Sequence, residues 1–118
     1  MSIIELLSSD SRLVKVAAGE LIFAQGDRGE VMYVVAEGQA QILIDGKPVE
    51  TVGTGGIAGE MALIDSGPRS ASAIAKTDCV LVPLDEVGFR DLVGRRPEFA
   101  LLVMRVLAQR LRRMDAEH

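Results

Sequence analysis

Short hydrophobic stretches alternate with polar residues and glycines over the first two thirds of the chain. Alternation with a period of two is typical of half-buried strands, and many short strands at close spacing are typical of a small barrel or sandwich. Asp45-Gly46 is a hairpin turn signal within this region. The pattern predicts strands at 12–16, 21–23, 31–36, 39–44, 48–52, 70–75 and 80–84.

The last third of the chain has a helical hydrophobic period. Asp85 is a suitable cap for a helix over 86–93 that ends near Gly94, and Pro97 suits the first position of a longer helix that reaches about residue 114. A further short helix is predicted at 3–7. The expected architecture is an α+β single domain over 1–118. It consists of a small antiparallel, jelly-roll-like β-roll at about 11–84, a short helix inside a loop, and two C-terminal helices at about 85–114.

Composition limits the function classes. With 118 residues, 48% of them hydrophobic, the chain can bury a core without disulfides, and the single Cys79 suits a reducing compartment. The apolar runs at 31–36 and 99–104 are too short to span a bilayer. A net charge of -4 disfavours polyanions. We therefore expect a cytoplasmic protein that binds neither nucleic acid nor membrane through this chain.

The loop at 59–72, GEMALIDSGPRSAS, carries the candidate chemistry. Amide groups at the start of its short helix favour an anion, and the planar guanidinium of Arg69 matches two phosphate oxygens. Ser70 adds a hydroxyl and an amide. A carboxylate is repelled by phosphate but accepts a hydrogen bond from a sugar hydroxyl, so Glu60 is expected to face a ribose. A nucleotide combines these two groups.

This loop resembles the phosphate-binding cassette of the cyclic nucleotide-binding domain, a module of catabolite-activator-type regulators, cyclic-nucleotide-dependent kinases and gated channels. The matching motifs are GEMAL at 59–63 and PRSA at 68–71. Upstream, GELIF at 19–23 and QGD at 25–27 match a second family motif. The resemblance covers roughly residues 12 to 114 and implies a regulatory domain in signal transduction.

The resemblance also implies roles for individual residues. Arg69 would pair with the cyclic phosphate, beside the amides of Ala62 and Ser70. Glu60 and the Gly59 amide would hold the ribose 2′-hydroxyl. The base would lie against apolar strand residues under the C-terminal helix. The candidate ligand-binding residues are Gly59, Glu60, Met61, Ala62, Arg69, Ser70 and Ala71.

The predicted helix at 97–114 carries the regulatory hypothesis. We expect the ligand to reposition this helix, whose apolar stripe could also pack on a second copy of the chain or on an effector domain. Cyclic AMP is favoured because the helix has no acidic partner for guanine near its middle. Cyclic GMP stays open, since Ser70 could contact a guanine edge. Arg110, Arg112 and Arg113 are interpreted as favourable charges at the helix C-terminus that need no partner.

Other interpretations use the same residues. Glu60 and Arg69 could form an ion pair without a ligand. The chain could be a degenerate roll used for dimerisation or docking, or the sensor half of a transcription regulator. The segment 53–58, GTGGIA, is interpreted as a flexible turn leading to the loop rather than as a dinucleotide fingerprint. Catalysis is not expected, because His118 is the one histidine and no Ser/His or Cys/His arrangement is visible, so neither a metal nor a cofactor is predicted.

Overall fold

The computed structural model describes residues 12–65 and 67–116 and forms two four-stranded antiparallel sheets with three helices. The strands are β1 (Val14–Val16), β2 (Leu21–Phe23), β3 (Met32–Glu37), β4 (Ala40–Ile44), β5 (Lys47–Val52), β6 (Ile57–Ala58), β7 (Ser72–Ala75) and β8 (Cys79–Leu84). The helices are α1 (Met61–Ile64), α2 (Glu86–Arg95) and α3 (Glu98–Ala116). The predicted α+β roll is confirmed, whereas the helix predicted at 3–7 lies outside the described residues.

The strand order explains the two hydrophobic cores. One sheet has the order β1-β8-β3-β6 and the other β2-β7-β4-β5. The first core lies between the sheets, and the second lies between the β1-β8-β3-β6 sheet and the two C-terminal helices. Strand β3 contributes side chains to both cores, since Val35 belongs to the first core and Val34 to the second. A strand buried on both faces has a continuous apolar sequence, which explains the unbroken run in β3.

Two turn and cap predictions are confirmed in atomic detail. Asp45 and Gly46 have φ values of 52° and 79°, as a two-residue hairpin requires, and Ile44 pairs with Lys47 across them. At the start of α2, Oδ1 of Asp85 accepts a hydrogen bond from the Gly88 amide at 2.7 Å. Helix α2 continues past Gly94 and ends at Arg95. It ends there because the residue before Pro97 is sterically excluded from the helical region.

The strand β6 was not predicted. Ile57 and Ala58 are each 2% exposed, and they pair with Val34 and Tyr33 of β3. The interpretation of this region as a turn is therefore wrong for its last two residues. Two residues show no alternation, so the hydrophobic pattern carried no signal for this strand. Strand β6 anchors the start of the 59–72 loop to the roll.

Helix α3 packs its apolar stripe on the roll. Phe99 is fully buried, and its ring lies 5.6 Å from that of Phe89 in α2. Val103 is 3% exposed in the same core, and Leu107 packs at its edge. Farther along α3, Arg110 lies beyond this core and contacts Glu60 in the 59–72 loop. Among residues 12–65 and 67–116, no helix is long and apolar enough to cross a membrane.

Candidate functional site

A cavity of about 520 Å³ lies between the β2-β7-β4-β5 sheet, the 59–72 loop and α3. Its apolar wall comes from the strands and from α3, at Phe23, Ile42, Ile44, Val49, Ala58, Leu107 and Leu111. All the residues predicted as ligand-binding line the same cavity, at Gly59, Glu60, Met61, Ala62, Arg69, Ser70 and Ala71. The cavity therefore has an apolar side and a side formed by the loop that carries the charged motif.

Arg69 is buried within this wall, with only 7% of its surface exposed. Its Nη1 donates to the Gly59 carbonyl at 3.2 Å, and its Cζ lies 4.2 Å from the centre of the Phe23 ring. The Nε has no hydrogen-bond partner among the described residues. Burial lowers the pKa of Arg69 below its ordinary value, although an arginine stays charged. A buried cation with a free donor is suited to an anionic ligand.

The loop at 24–29 holds Arg69 in this position. The Arg69 amide donates to the Asp27 carbonyl, and the Gly26 amide donates to the Arg69 carbonyl, both at 2.8 Å. Gly29 lies so close to the guanidinium that a Cβ at this position would overlap it. The upstream motif residues at 25–27 therefore lie in a turn that fixes the backbone of Arg69.

Glu60 is the second buried charge, 4% exposed at the start of α1. Its Oε1 accepts a hydrogen bond from Nη1 of Arg110 in α3. The suggested ion pair between Glu60 and Arg69 is wrong, because the ion-pair partner of Glu60 in the described chain is Arg110. Oε2 of Glu60 accepts no hydrogen bond from the described residues, so this oxygen can accept one from a hydroxyl group.

Arg110 joins Glu60 to a second carboxylate, Glu50 of β5. Nε of Arg110 lies 2.9 Å from Oε1 of Glu50, and Nη2 lies 3.1 Å from Oε2. Arg113 also donates to Oε1 of Glu50 at 2.9 Å. The interpretation that these arginines need no partner is therefore wrong for Arg110 and Arg113.

In the cluster formed by Glu50, Glu60, Arg110 and Arg113, the pKa shifts of Glu50 and Arg110 both favour the ionised side chain. Burial alone would raise the pKa of Glu50, but hydrogen bonds from Arg110 and Arg113 lower it below 4.5 overall. Burial alone would lower the pKa of Arg110, but its hydrogen bond to Glu50 and the charge of Glu60 raise it overall. Both groups are therefore charged at neutral pH.

The remaining candidate residues occupy the mouth and edge of the cavity. Ser70 is exposed, and Met61 is 40% exposed. The Ala62 amide, expected to face a phosphate, donates to the Gly59 carbonyl at 3.2 Å. Phe23 and Glu50 line the cavity but were missed, since a strand pattern shows which residues are buried and not which cavity they face.

The family follows from a direct comparison. A family model described as the cyclic nucleotide-binding domain matches residues 13–96. The chain belongs to this family. The match includes the roll, the 59–72 loop and α2, and it ends before α3.

Three relatives illustrate where this domain occurs. The domain formed by this chain is 41% identical over 78 residues, 66% of its own length, to the cAMP-dependent protein kinase regulatory subunit of Eremothecium gossypii. Its fold matches the catabolite activator protein of Thermus thermophilus with a TM-score of 0.83 and 35% identity over 98% of the domain. It also matches the EAL enzyme Bd1971 in its cGMP-bound and cAMP-bound forms, at TM-scores of 0.67 and 0.64 with 36% identity over 86% of the domain.

The domain is shorter than these proteins. It covers 17% of the kinase regulatory subunit, 56% of the catabolite activator and 28% of Bd1971. The family and the fold are therefore established for the domain itself. The match does not assign the activities of the longer proteins to this domain.

Proposed function

We propose that the domain is a cytoplasmic, non-catalytic sensor that binds a cyclic nucleotide, with cyclic AMP preferred to cyclic GMP. The observation that carries this proposal is the presence of both Arg69 and Glu60 on the wall of one cavity. Both side chains are more than nine-tenths buried, and each keeps an atom without a hydrogen-bond partner among the described residues. A ligand that presents an anion and a hydroxyl satisfies both.

The geometry supports one orientation of the ligand. The cyclic phosphate pairs with Arg69, because a guanidinium donates two parallel hydrogen bonds to phosphate oxygens. The ribose 2′-hydroxyl donates to Oε2 of Glu60. The base then lies on the apolar wall of the strands, with Leu107 and Leu111 of α3 beside it. The cAMP-dependent relative supports adenine, whereas the two ligand forms of Bd1971 match equally in identity and leave guanine as the competitor.

The regulatory output runs through α3. Ligand contacts can shift the position of this helix only as far as they are stronger in the closed arrangement. Leu107, Arg110 and Leu111 give α3 direct access to the cavity, which supports such a coupling. A second copy of the domain or an effector domain is expected on α3, where Leu101 and Met104 are 52% and 61% exposed.

The test is a calorimetric titration with four ligands: cyclic AMP, cyclic GMP, 2′-deoxy cyclic AMP and linear AMP. Cyclic AMP should bind most tightly, and the 2′-deoxy analogue should lose about tenfold for its missing hydrogen bond. Glu60→Gln should remove most of that difference, whereas Glu86→Gln, on the exposed face of α2, should preserve it. Equal affinity for cyclic and linear AMP, or no binding at millimolar concentration, would contradict the proposal.

A further inference from the structure

The charged cluster of Glu50, Glu60, Arg110 and Arg113 includes a carboxylate, Glu50, to which the sequence motifs assign no role. Glu50 lies in β5, outside the 59–72 loop, and the arginines it binds lie in α3, beyond the matched residues. Its side chain is 22% exposed and that of Arg110 is 19% exposed. A partly buried carboxylate with two guanidinium partners is a specific arrangement and not an incidental surface pair.

We propose that Glu50 is a positioning residue: it orients Arg110 so that α3 is held against Glu60, and it thereby sets the affinity of the cavity for its ligand. This inference rests on the proposed function, because Glu60 is assigned there to the ribose. Glu50 acts through Arg110 and not on the ligand, since both of its carboxylate oxygens already accept hydrogen bonds from arginines.

The rigid shape of the guanidinium makes this orientation effective. Nε and Nη2 of Arg110 form one edge of the planar group, and Glu50 accepts from both. Nη2 also donates to the Ile57 carbonyl of β6 at 2.8 Å. With that edge fixed on β5 and β6, the remaining nitrogen, Nη1, is directed at Glu60. The position of α3 and the orientation of the Glu60 carboxylate are thus linked through a single planar group.

Removing the charge of Glu50 should release this link. Glu50→Gln replaces an anionic acceptor by an amide, which presents one oxygen where the carboxylate presents two. Of the carboxylates that the structure places beside it, Arg110 then keeps only Glu60, and it gains rotational freedom. We expect the Kd for cyclic AMP to rise by about tenfold, the size of one lost charge-assisted hydrogen bond.

The first measurement needs no ligand. Amide hydrogen exchange over 105–113 should be faster in Glu50→Gln than in the unchanged chain, while α2 and β3 keep their protection. Glu86→Gln is the matched control, because Glu86 also pairs with an arginine but lies 65% exposed on α2. Unchanged exchange in Glu50→Gln would overturn the proposed role in holding α3, whether or not any nucleotide binds.

The second measurement is a double-mutant cycle on ligand affinity. If Glu50 acts through Arg110, then Glu50→Gln should weaken cyclic AMP binding in the unchanged chain but have little further effect in Arg110→Gln. Glu50→Asp, which keeps the carboxylate, should recover part of the affinity. Additive losses would show that Glu50 acts independently of Arg110 and would overturn the positioning role. If the unchanged chain binds no cyclic nucleotide, the proposed function fails, and the exchange experiment still decides whether Glu50 holds α3.

Discussion

Replacing Arg69 by glutamine tests the centre of the proposed site. The substitution removes a buried guanidinium that stacks on Phe23 and donates to the Gly59 carbonyl. A phosphate accepts two charge-assisted hydrogen bonds from such a group, each contributing about 1.5–3 kcal/mol. The loss of about 3 kcal/mol or more should raise the Kd for cyclic AMP by at least two orders of magnitude.

The same substitution should change the stability of the fold very little. Removing the guanidinium forfeits a cation–π contact and one hydrogen bond, each worth about 1 kcal/mol. It also relieves the burial of a charge that has an unpaired Nε, and this burial is what lowers the pKa of Arg69. These contributions oppose each other, so the free energy of unfolding should stay within about 1 kcal/mol of the unchanged chain.

The assay combines calorimetry with urea unfolding. Arg90→Gln serves as control, because the Arg90 side chain is 77% exposed in an ion pair on α2 and lines no part of the cavity. A threefold or smaller change in the Kd of the Arg69 variant would refute the assignment of Arg69 to the phosphate. A loss of several kcal/mol in stability would instead show that Arg69 mainly supports the fold.

Two further predictions concern the surroundings of the cavity. Gly29→Ala places a methyl group against the Arg69 guanidinium and should weaken cyclic AMP binding in calorimetry. Gly94→Ala is the control, because a Cβ there meets nothing within 4 Å, and it should leave the Kd unchanged. Equal Kd values for the two variants would show that the 24–29 loop moves to accommodate the methyl group without affecting Arg69. Because the folded pKa of Glu50 lies below 4.5, its stabilisation is present above that pH and is lost as the pH falls through the lowered value. Urea unfolding at about pH 7 and about pH 3 should therefore show a stability difference between the unchanged chain and Glu50→Gln that shrinks in acid, and a constant difference would contradict this.

The fold was predictable wherever a pattern extends over enough residues. The alternation in β4 and the continuous run in β3 both lie within predicted strands, and the Asp85 cap marks the start of α2. The two-residue strand β6 is below the length at which periodicity is detectable. Its place in the sheet depends on pairing with β3, which is a tertiary contact.

The site was predictable only as far as it is local in sequence. Glu60 and Arg69 are nine residues apart in one loop, so their types and spacing could be interpreted together. Arg110 lies 50 residues from Glu60 and 60 from Glu50. Nothing in the periodicity of α3 indicates where the helix docks, so the partners of its charged residues follow only from the packing of α3 on the roll.

The signs of the charges around the cavity have a consequence for the kind of anion it accepts. Among the side chains that the structure describes, two carboxylates and three guanidiniums line it, at Glu50, Glu60, Arg69, Arg110 and Arg113. These groups leave one uncompensated positive charge within a chain of net charge -4. A monoanion neutralises that surplus, whereas a dianion overcompensates it. At a screening length of about 8 Å, charges farther from the anion than this are largely screened, so the anion responds to the local surplus only near the cavity. Discrimination by valence is therefore a short-range property, and lowering the salt concentration should not accelerate capture.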